Sequence, residues 1–298
     1  MTQRTAVSGN LYMIDLFKQI WTFIIRYLWL YWMMDSWDDF LNSMNGYGLS
    51  DKALFVIGGI GTHVLTFWGM NAIYFLLYHF NMFPKQRIRG GVMPRDELIR
   101  SCIINRLRNH FITQPIALWF AYPFFMWCGI SLRGPIPQLS IWIRDFLVAL
   151  ALNDALFYWA HRGLHHSSIY KYIHKQHHMF NNTIGIASEY AHPVEDVVAN
   201  IIPTLSGPLL MGSHALVMWA WLCLRLMETI DSHSGYHFEW SPFNNSFLFG
   251  GARRHDFHHS HNQGCYGAYV WDRLCGTDLE YLEYERKRTT TEQKAKSS

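Results

Sequence analysis

The chain carries 17 histidines in 298 residues, and 14 of them stand at or after His161. Most recur at intervals of three or four. The first cluster reads His161-Arg-Gly-Leu-His165-His166, the second His174-Lys-Gln-His177-His178, and the third His255-Asp-Phe-His258-His259. On a helix, residues three and four apart share a face with their Cβ atoms about 5–6 Å apart. Each cluster is therefore able to aim two or three imidazoles at one point. Imidazole suits zinc, copper, iron and nickel. A single zinc takes about four ligands at most, so a set of eight or more nitrogens points to two metal ions. Of His165 and His166 only one need bind, because sequence neighbours point about 100° apart on a helix. Unliganded, such clusters would lose their hydration without gaining partners.

Two further segments belong with the clusters by position: Glu189-Tyr-Ala-His192-Pro-Val-Glu195 and His233-Ser-Gly-Tyr-His237. His233 is expected as a ligand. His192 and His237 are further candidates, the alternative for each being hydrogen-bonded support. Asp154 stands seven residues before His161, two helical turns away on the same face. A carboxylate there would take the free N–H of His161 and fix its tautomer, and Glu189 and Glu195 are expected in the same supporting role. Soluble di-iron bundles use Glu-x-x-His pairs on two helices. Here Glu189 to His192 is the one such pair, so that carboxylate-rich design does not fit. His63, His79, His110 and His214 are isolated in sequence and read as core or interface residues.

The elements that must hold these groups are apolar. Half the residues are hydrophobic, 16% are aromatic and 16% are charged, against about 25% charged in a typical soluble domain. Residues 53–84, 110–132 and 197–224 contain no Asp, Glu, Lys or Arg, and a fourth run, 140–160, carries only Arg144, Asp145 and Asp154. Each is long enough for the ~20 residues that cross a bilayer core. The expected fold is all-α: an integral membrane helical bundle of about four spans or two hairpins with a cytosolic histidine-rich helical cap. The basic segment 85–108 is expected as a cytosolic loop, which brings His161 out on the same side. In 197–224 the stretch Pro203-Thr-Leu-Ser-Gly-Pro208, with Gly212 close behind, is a breaker cluster that predicts two short arms. Residues 1–52 form an N-terminal segment in which 11–37 is expected as an interfacial helix. Residues 53–160 are expected as a transmembrane region, 153–278 as a catalytic domain including the hairpin 197–224, and 285–298 as a polar tail. In that tail Lys294 and Lys296 resemble a dilysine retrieval signal of endoplasmic reticulum membrane proteins. A net charge of +3 from 25 basic and 22 acidic residues gives no ground for a nucleic-acid partner. The five cysteines form no C-x-x-C pair, which excludes a disulfide framework and a thiolate zinc site.

The three clusters, in this order around hydrophobic pairs, resemble the fatty acid hydroxylase and sterol desaturase superfamily. Tyr170-Lys-Tyr-Ile-His-Lys-Gln-His-His178, Glu189-Tyr-Ala-His-Pro-Val-Glu195, Glu228-Thr-Ile-Asp-Ser-His-Ser-Gly-Tyr236 and Arg254-His-Asp-Phe-His-His259 are similar to its methylsterol oxidase branch. The likeness runs from about Asn153 to Asp278. His237-Phe-Glu-Trp-Ser241 and His258-His-Ser-His-Asn262 are closer to the cholesterol side-chain hydroxylases, and Arg254 stands where the family often has another histidine. The resemblance implies an endoplasmic reticulum membrane enzyme with two non-haem iron ions, with O2 as co-substrate. It implies oxidation of the C-4 methyl group of sterols, with side-chain hydroxylation, desaturation and fatty-acyl hydroxylation as alternatives. The implied ligands are His161, His165, His166, His174, His177, His178, His233, His255, His258 and His259. No glycine-rich dinucleotide fingerprint or haem motif is present, so electrons are expected from outside the chain, and the resemblance implies NAD(P)H as their source through a membrane-bound b-type cytochrome and its reductase. A histidine-lined metal carrier is the non-catalytic alternative. Transporters, however, place their ligands at mid-membrane between broken helices, and these clusters fall outside the uncharged runs.

Overall fold

The computed structural model describes residues 37–297 except 245 and 247, and the regular elements among them are all helical. The expected interfacial helix over 11–37 lies, but for its last residue, outside the described residues. The chain divides into two units, residues 1–54 with 133–136 and residues 55–132 with 137–298. In the first unit α1 (Trp37–Gly46) is tied down by charge. The Arg133 guanidinium grips both carboxylate oxygens of Asp51 at 2.6 Å and the Asn42 side chain at 3.0 Å, while Gly134 N–H donates to Asp38 at 3.1 Å.

The second unit holds most of α2 (Asp51–His79) and all the histidine clusters. Alongside it runs α9 (Ala215–His233). A Cβ added at Gly58 would fall 2.2 Å from the Trp219 ring, Thr66 Oγ1 donates to Cys223 Sγ at 3.3 Å, and Tyr74 O–H donates to Asp231 at 2.6 Å. Contacts that advance together along both chains mean that α2 and α9 point the same way. The segment expected as a cytosolic loop over 85–108 is instead largely α3 (Asp96–Arg108), which passes through a wide π turn, Asn109–Thr113, into α4 (Gln114–Trp127). Three of its seven basic residues are engaged by the fold: Arg106 is buried, Arg89 Nε meets Asp256 at 2.6 Å and Arg87 Nε donates to Tyr236 Oη at 2.9 Å, while Lys85, Arg95, Arg100 and Arg108 are exposed.

The 26-residue α5 (Leu139–Leu164) is the central helix; its acidic residues face protein, while Arg144 and Arg162 are exposed. Asp145 is buried and accepts from Ser213 Oγ at 2.6 Å, as an ionisable group in an apolar helix must. Against α5 lies α8 (Ile202–Met211), reached from α7 (Pro193–Glu195) through a second π turn, Asp196–Ile201. The predicted break at Pro203–Pro208 is not there. Pro203 sits in the first turn of α8, where no partner for its missing N–H is needed. The chain reverses at Gly212 instead, whose left-handed φ of 55° ends the helix. His214 then caps α9, its Nδ1 accepting from Leu216 N–H at 3.2 Å.

The four expected spans are not confirmed. Among the described helices only α2 is long and apolar enough to cross a membrane. The α4 helix has 14 residues, about 21 Å at 1.5 Å per residue. The α5 helix is long enough but charged, and 197–224 is divided at Gly212.

Gly207 of α8 lies on α5 so closely that a Cβ would fall 2.3 Å from Ala149 Cα. The neighbour is backbone and cannot yield. Gly207→Ala is therefore expected to cost about 1–3 kcal/mol, seen as a lower thermal midpoint. Gly61→Ala in α2, where a Cβ meets nothing within 4 Å, should leave the midpoint unchanged or raised.

Candidate metal centre

The histidines come together by the ends of elements. His161 lies in the last turn of α5 and His165 immediately follows it. His174, His177 and His178 share a 3-10 turn, His174–Met179, and His233 is the last residue of α9. His255, His258 and His259 lie on α10 (Ala252–His261). Two groups result: His161, His165, His174, His178 and His258 in one, and His177, His233, His255 and His259 in the other. Within each, the candidate ligand atoms all lie within 4.8 Å of one another. The expectation that each sequence cluster aims at a single point needs correction. The second cluster sends His174 and His178 to one group and His177 to the other, and α10 sends His258 one way and His255 and His259 the other.

The ring nitrogens are sorted by direction. Nε2 atoms converge: His161 to His174 at 3.0 Å, His174 to His178 at 3.1 Å and His165 to His258 at 3.2 Å in the first group. In the second, His233 meets His255 at 2.8 Å and His177 at 3.3 Å, and His255 meets His259 at 3.1 Å. Four Nδ1 atoms turn outward to acceptors, while those of His177, His178 and His259 are buried without a hydrogen-bond partner among the described residues. His161 donates to Tyr266 O at 2.6 Å, His258 to Gly264 O at 2.6 Å and His233 to Thr229 O at 2.7 Å, while His174 Nδ1 is paired with Glu195 Oε1 at 2.8 Å. A proton fixed on Nδ1 leaves the Nε2 lone pair facing its neighbours. Lone pairs pressed together in this way have nothing to share but a cation.

Burial keeps the rings neutral. His258 is fully buried and His174 and His259 are 1% exposed. Burial lowers the His161 and His233 imidazoles to about 4 and, with neighbouring rings, His178 to about 3. Neutral imidazole is the ligating form, so both groups have the donor chemistry of an imidazole metal site.

Three predicted ligands stand apart. His166 is exposed, and its Nδ1 caps Ser167–Tyr170 and lies 2.7 Å from Ser168 Oγ. Its neighbour His165 has taken the inward direction. His192 caps α7 by accepting from Val194 N–H at 3.2 Å, and half-buried His237 belongs to neither group. Of the predicted carboxylates, Glu195 meets a ligand candidate directly. Asp154 does not reach His161; it accepts from Ala268 N–H at 3.3 Å, while the Tyr266 carbonyl holds the imidazole. Asp272 completes that arrangement. It receives Tyr266 N–H at 2.9 Å and Gly267 N–H at 3.0 Å and is paired with buried Arg254 at 2.7 Å. Arg254 thus steadies the segment that presents carbonyls to His161 and His258.

Glu189 belongs to a network that the sequence did not suggest. Its Oε1 lies 2.7 Å from His63 Nε2, and its Oε2 is 2.8 Å from His110 Nε2 and 3.4 Å from Arg106. Burial disfavours its charge, but His63, His110 and Arg106 outweigh that and hold the carboxyl well below its usual range. These partners lie about 80 and 126 positions away, beyond any local spacing rule. The π turn that carries His110 is a distortion of a kind frequent at functional sites.

Both the network and the histidine groups border a cavity of about 550 Å³, within the ~300–1,000 Å³ range of small-molecule sites. Its walls include Ile60, Leu118, Phe125, Leu150, Phe157, Met218 and Trp219 on the apolar side, and His161, His174, His177, His233 and His255 on the other.

Burial, with Asp196 beside it, pushes the Glu195 carboxyl well above its usual range, so its charge depends on a cation held through His174. Glu195→Gln keeps an acceptor but cannot take that charge, and should weaken metal binding about 10- to 100-fold. His166→Ala and His192→Ala should leave it unchanged. Chelator titration of the purified variants with metal analysis checks both.

The sequence pattern described as fatty acid hydroxylase matches residues 146–277. A very-long-chain aldehyde decarbonylase of Oryza sativa subsp. indica is 32% identical over 252 residues, 83% of this chain and 92% of that protein. Fatty acid hydroxylase domain-containing protein 2 of Homo sapiens is 34% identical over 86% of this chain and 76% of its own length. The C-4 methylsterol oxidase of Candida albicans is 34% identical over 73% of this chain and 72% of its own. No solved structure matches.

Proposed function

We propose that this chain, which belongs to the fatty acid hydroxylase family, is a membrane-bound, O2-dependent oxygenase of a sterol, acting first on a C-4 methyl group. The observation that carries this reading is the convergence of nine neutral histidines, seven of them buried, in groups of five and four, with five of the rings lining a largely apolar cavity. Two iron ions would be held there, by His161, His165, His174, His178 and His258 and by His177, His233, His255 and His259. The chemistry a bound iron pair supplies is the reduction of O2 and removal of hydrogen from an unactivated C–H bond.

The protein's own share is placement. Tyr266, Gly264 and Thr229 carbonyls keep protons on the outer ring nitrogens, and Glu195 does the same for His174. Neutral nitrogen donors also withstand oxidising conditions that would convert a thiolate. Apolar walls exclude water and leave a lipid oriented by shape. A bilayer setting is supported by α2 and by the apolar side chains left on the surface: Leu65 is 75% exposed, Phe120 76%, Trp127 82% and Leu147 62%. Such residues are costly in water and at home against acyl chains. The remaining parts of the reading are endoplasmic reticulum residence with the histidine face in the cytosol, and electrons from NAD(P)H through a b-type cytochrome. The cytosolic placement is supported by the exposed Lys85, Arg95, Arg100 and Arg108 of the 85–108 segment, and the remainder by the family resemblance.

Purified protein is expected to hold close to two iron ions per chain, and His177→Ala or His258→Ala to lower that number and abolish turnover. Retention of one zinc with activity intact in both variants would defeat the reading. Lipid analysis of cells lacking the protein assigns the position: 4,4-dimethylsterols should accumulate, whereas loss of an oxysterol alone would indicate side-chain hydroxylation.

A further inference from the structure

The network around Glu189 borders the same cavity as the histidine groups but is not part of either. Two histidines and a carboxylate suggest a third metal site, and the hydrogen bonds argue against it. Trp68 Nε1–H, which is only a donor, points at His110 Nδ1 at 3.1 Å. That nitrogen must offer its lone pair. The His110 proton therefore sits on Nε2 and is donated to Glu189 Oε2 at 2.8 Å, so neither nitrogen is left for a metal. Glu189, gripped also by Arg106, is a fixed carboxylate, and an ionised carboxylate only accepts. His63 Nε2 lies 2.7 Å from Oε1, within charge-pairing distance though out of hydrogen-bond alignment, and the carboxylate favours the ring proton on that nitrogen. The His63 Nδ1 is left without a hydrogen-bond partner among the described residues, on a side chain that lines the cavity.

We propose that His63, oriented by Glu189, is the anchor for the hydroxyl group of an otherwise apolar lipid alcohol; this rests on the reading of the cavity as the substrate chamber of a lipid oxygenase. A hydroxyl fits because it both donates and accepts, and so satisfies Nδ1 in either protonation state of the ring. An anionic head group does not fit. The three arginines that line the cavity already face carboxylates, Arg106 with Glu189 at 3.4 Å, Arg225 with Glu228 at 2.8 Å and Arg254 with Asp272 at 2.7 Å. Glu195 and Asp196 add further carboxyls to the walls. A fatty acid or sulfate would bring a further charge into a chamber whose cations are already matched by carboxylates, although Arg225 Nε and Arg254 Nε have no hydrogen-bond partner among the described residues. Burial of an unmatched charge is strongly disfavoured. The anchor is also joined to the first histidine group. Arg106 reaches Asp196 at 4.0 Å, and the preceding residue, Glu195, is the partner of His174.

The test is equilibrium binding to the full chain in lipid nanodiscs of three probes: a 4,4-dimethylsterol with a free hydroxyl, its methyl ether and its sulfate. The unaltered chain should bind the alcohol about tenfold or more tightly than the ether, the size of one hydrogen bond in a desolvated site, and the sulfate more weakly still. In His63→Leu the alcohol should fall to the level of the ether while metal content stays as it was; the thermal midpoint should drop, because buried Glu189 loses a partner. His63→Gln, which can still donate to Glu189 and accept from a hydroxyl, should recover part of the preference. Equal affinity for alcohol and ether, preference for the sulfate, no saturable binding of any probe, or a preference untouched in His63→Leu would each overturn the anchor. If His63→Leu does not fold, the three-probe series on the unaltered chain decides. Alcohol preference in protein that binds no iron would leave the anchor standing and remove the oxygenase reading instead.

Discussion

Nine imidazoles in two groups, with neighbouring Nε2 atoms about 3 Å apart, impose one condition on the rest of this chain: no ring can carry a second proton. A protonated ring in such company would be desolvated and repelled at once. The fold meets the condition from outside, by giving the far side of four of the rings an acceptor. Those acceptors come from backbone at places where helices stop. The segment after α10 bends through left-handed Asn262 and Cys265, exposing the Gly264 and Tyr266 carbonyls to His258 and His161. Asp272 and Arg254 exist largely to hold that bend.

The same logic, read in the opposite sense, separates the Glu189 network from the histidine groups. There an indole N–H rather than a carbonyl meets His110 Nδ1, and the proton moves to the other nitrogen. Identical side chains thus become ligands in one place and hydrogen-bond donors in another, according to which partner the helix packing brings. Residue type alone cannot make that distinction.

Sequence spacing showed the helical class and the concentration of chemistry in the three clusters, because intervals of three and four are properties of local backbone. It also singled out Glu195. It failed where direction depends on tertiary neighbours. His166 looked equivalent to His165 until the end of α5 sent one ring inward and left the other to cap a turn. Asp154 had the right helical phase for His161 but met the Ala268 amide first. His63 and His110 read as isolated because their shared partner is far along the chain. Hydropathy found α2, yet it could not foresee that α4 would be short or that Gly212, and not the prolines, would turn the chain. Pro203 is harmless where a helix begins, a fact of position and not of composition.

The short turn His174–Met179 and α10 each supply rings to both groups. Neither element can slide or rotate to widen one group without disturbing the other. The two pockets of nitrogen atoms consequently share a single stiffness, set by the packing of one helix and one turn. Assembly of the centre is then a concerted event of the surrounding backbone, with no half-formed geometry available on the way.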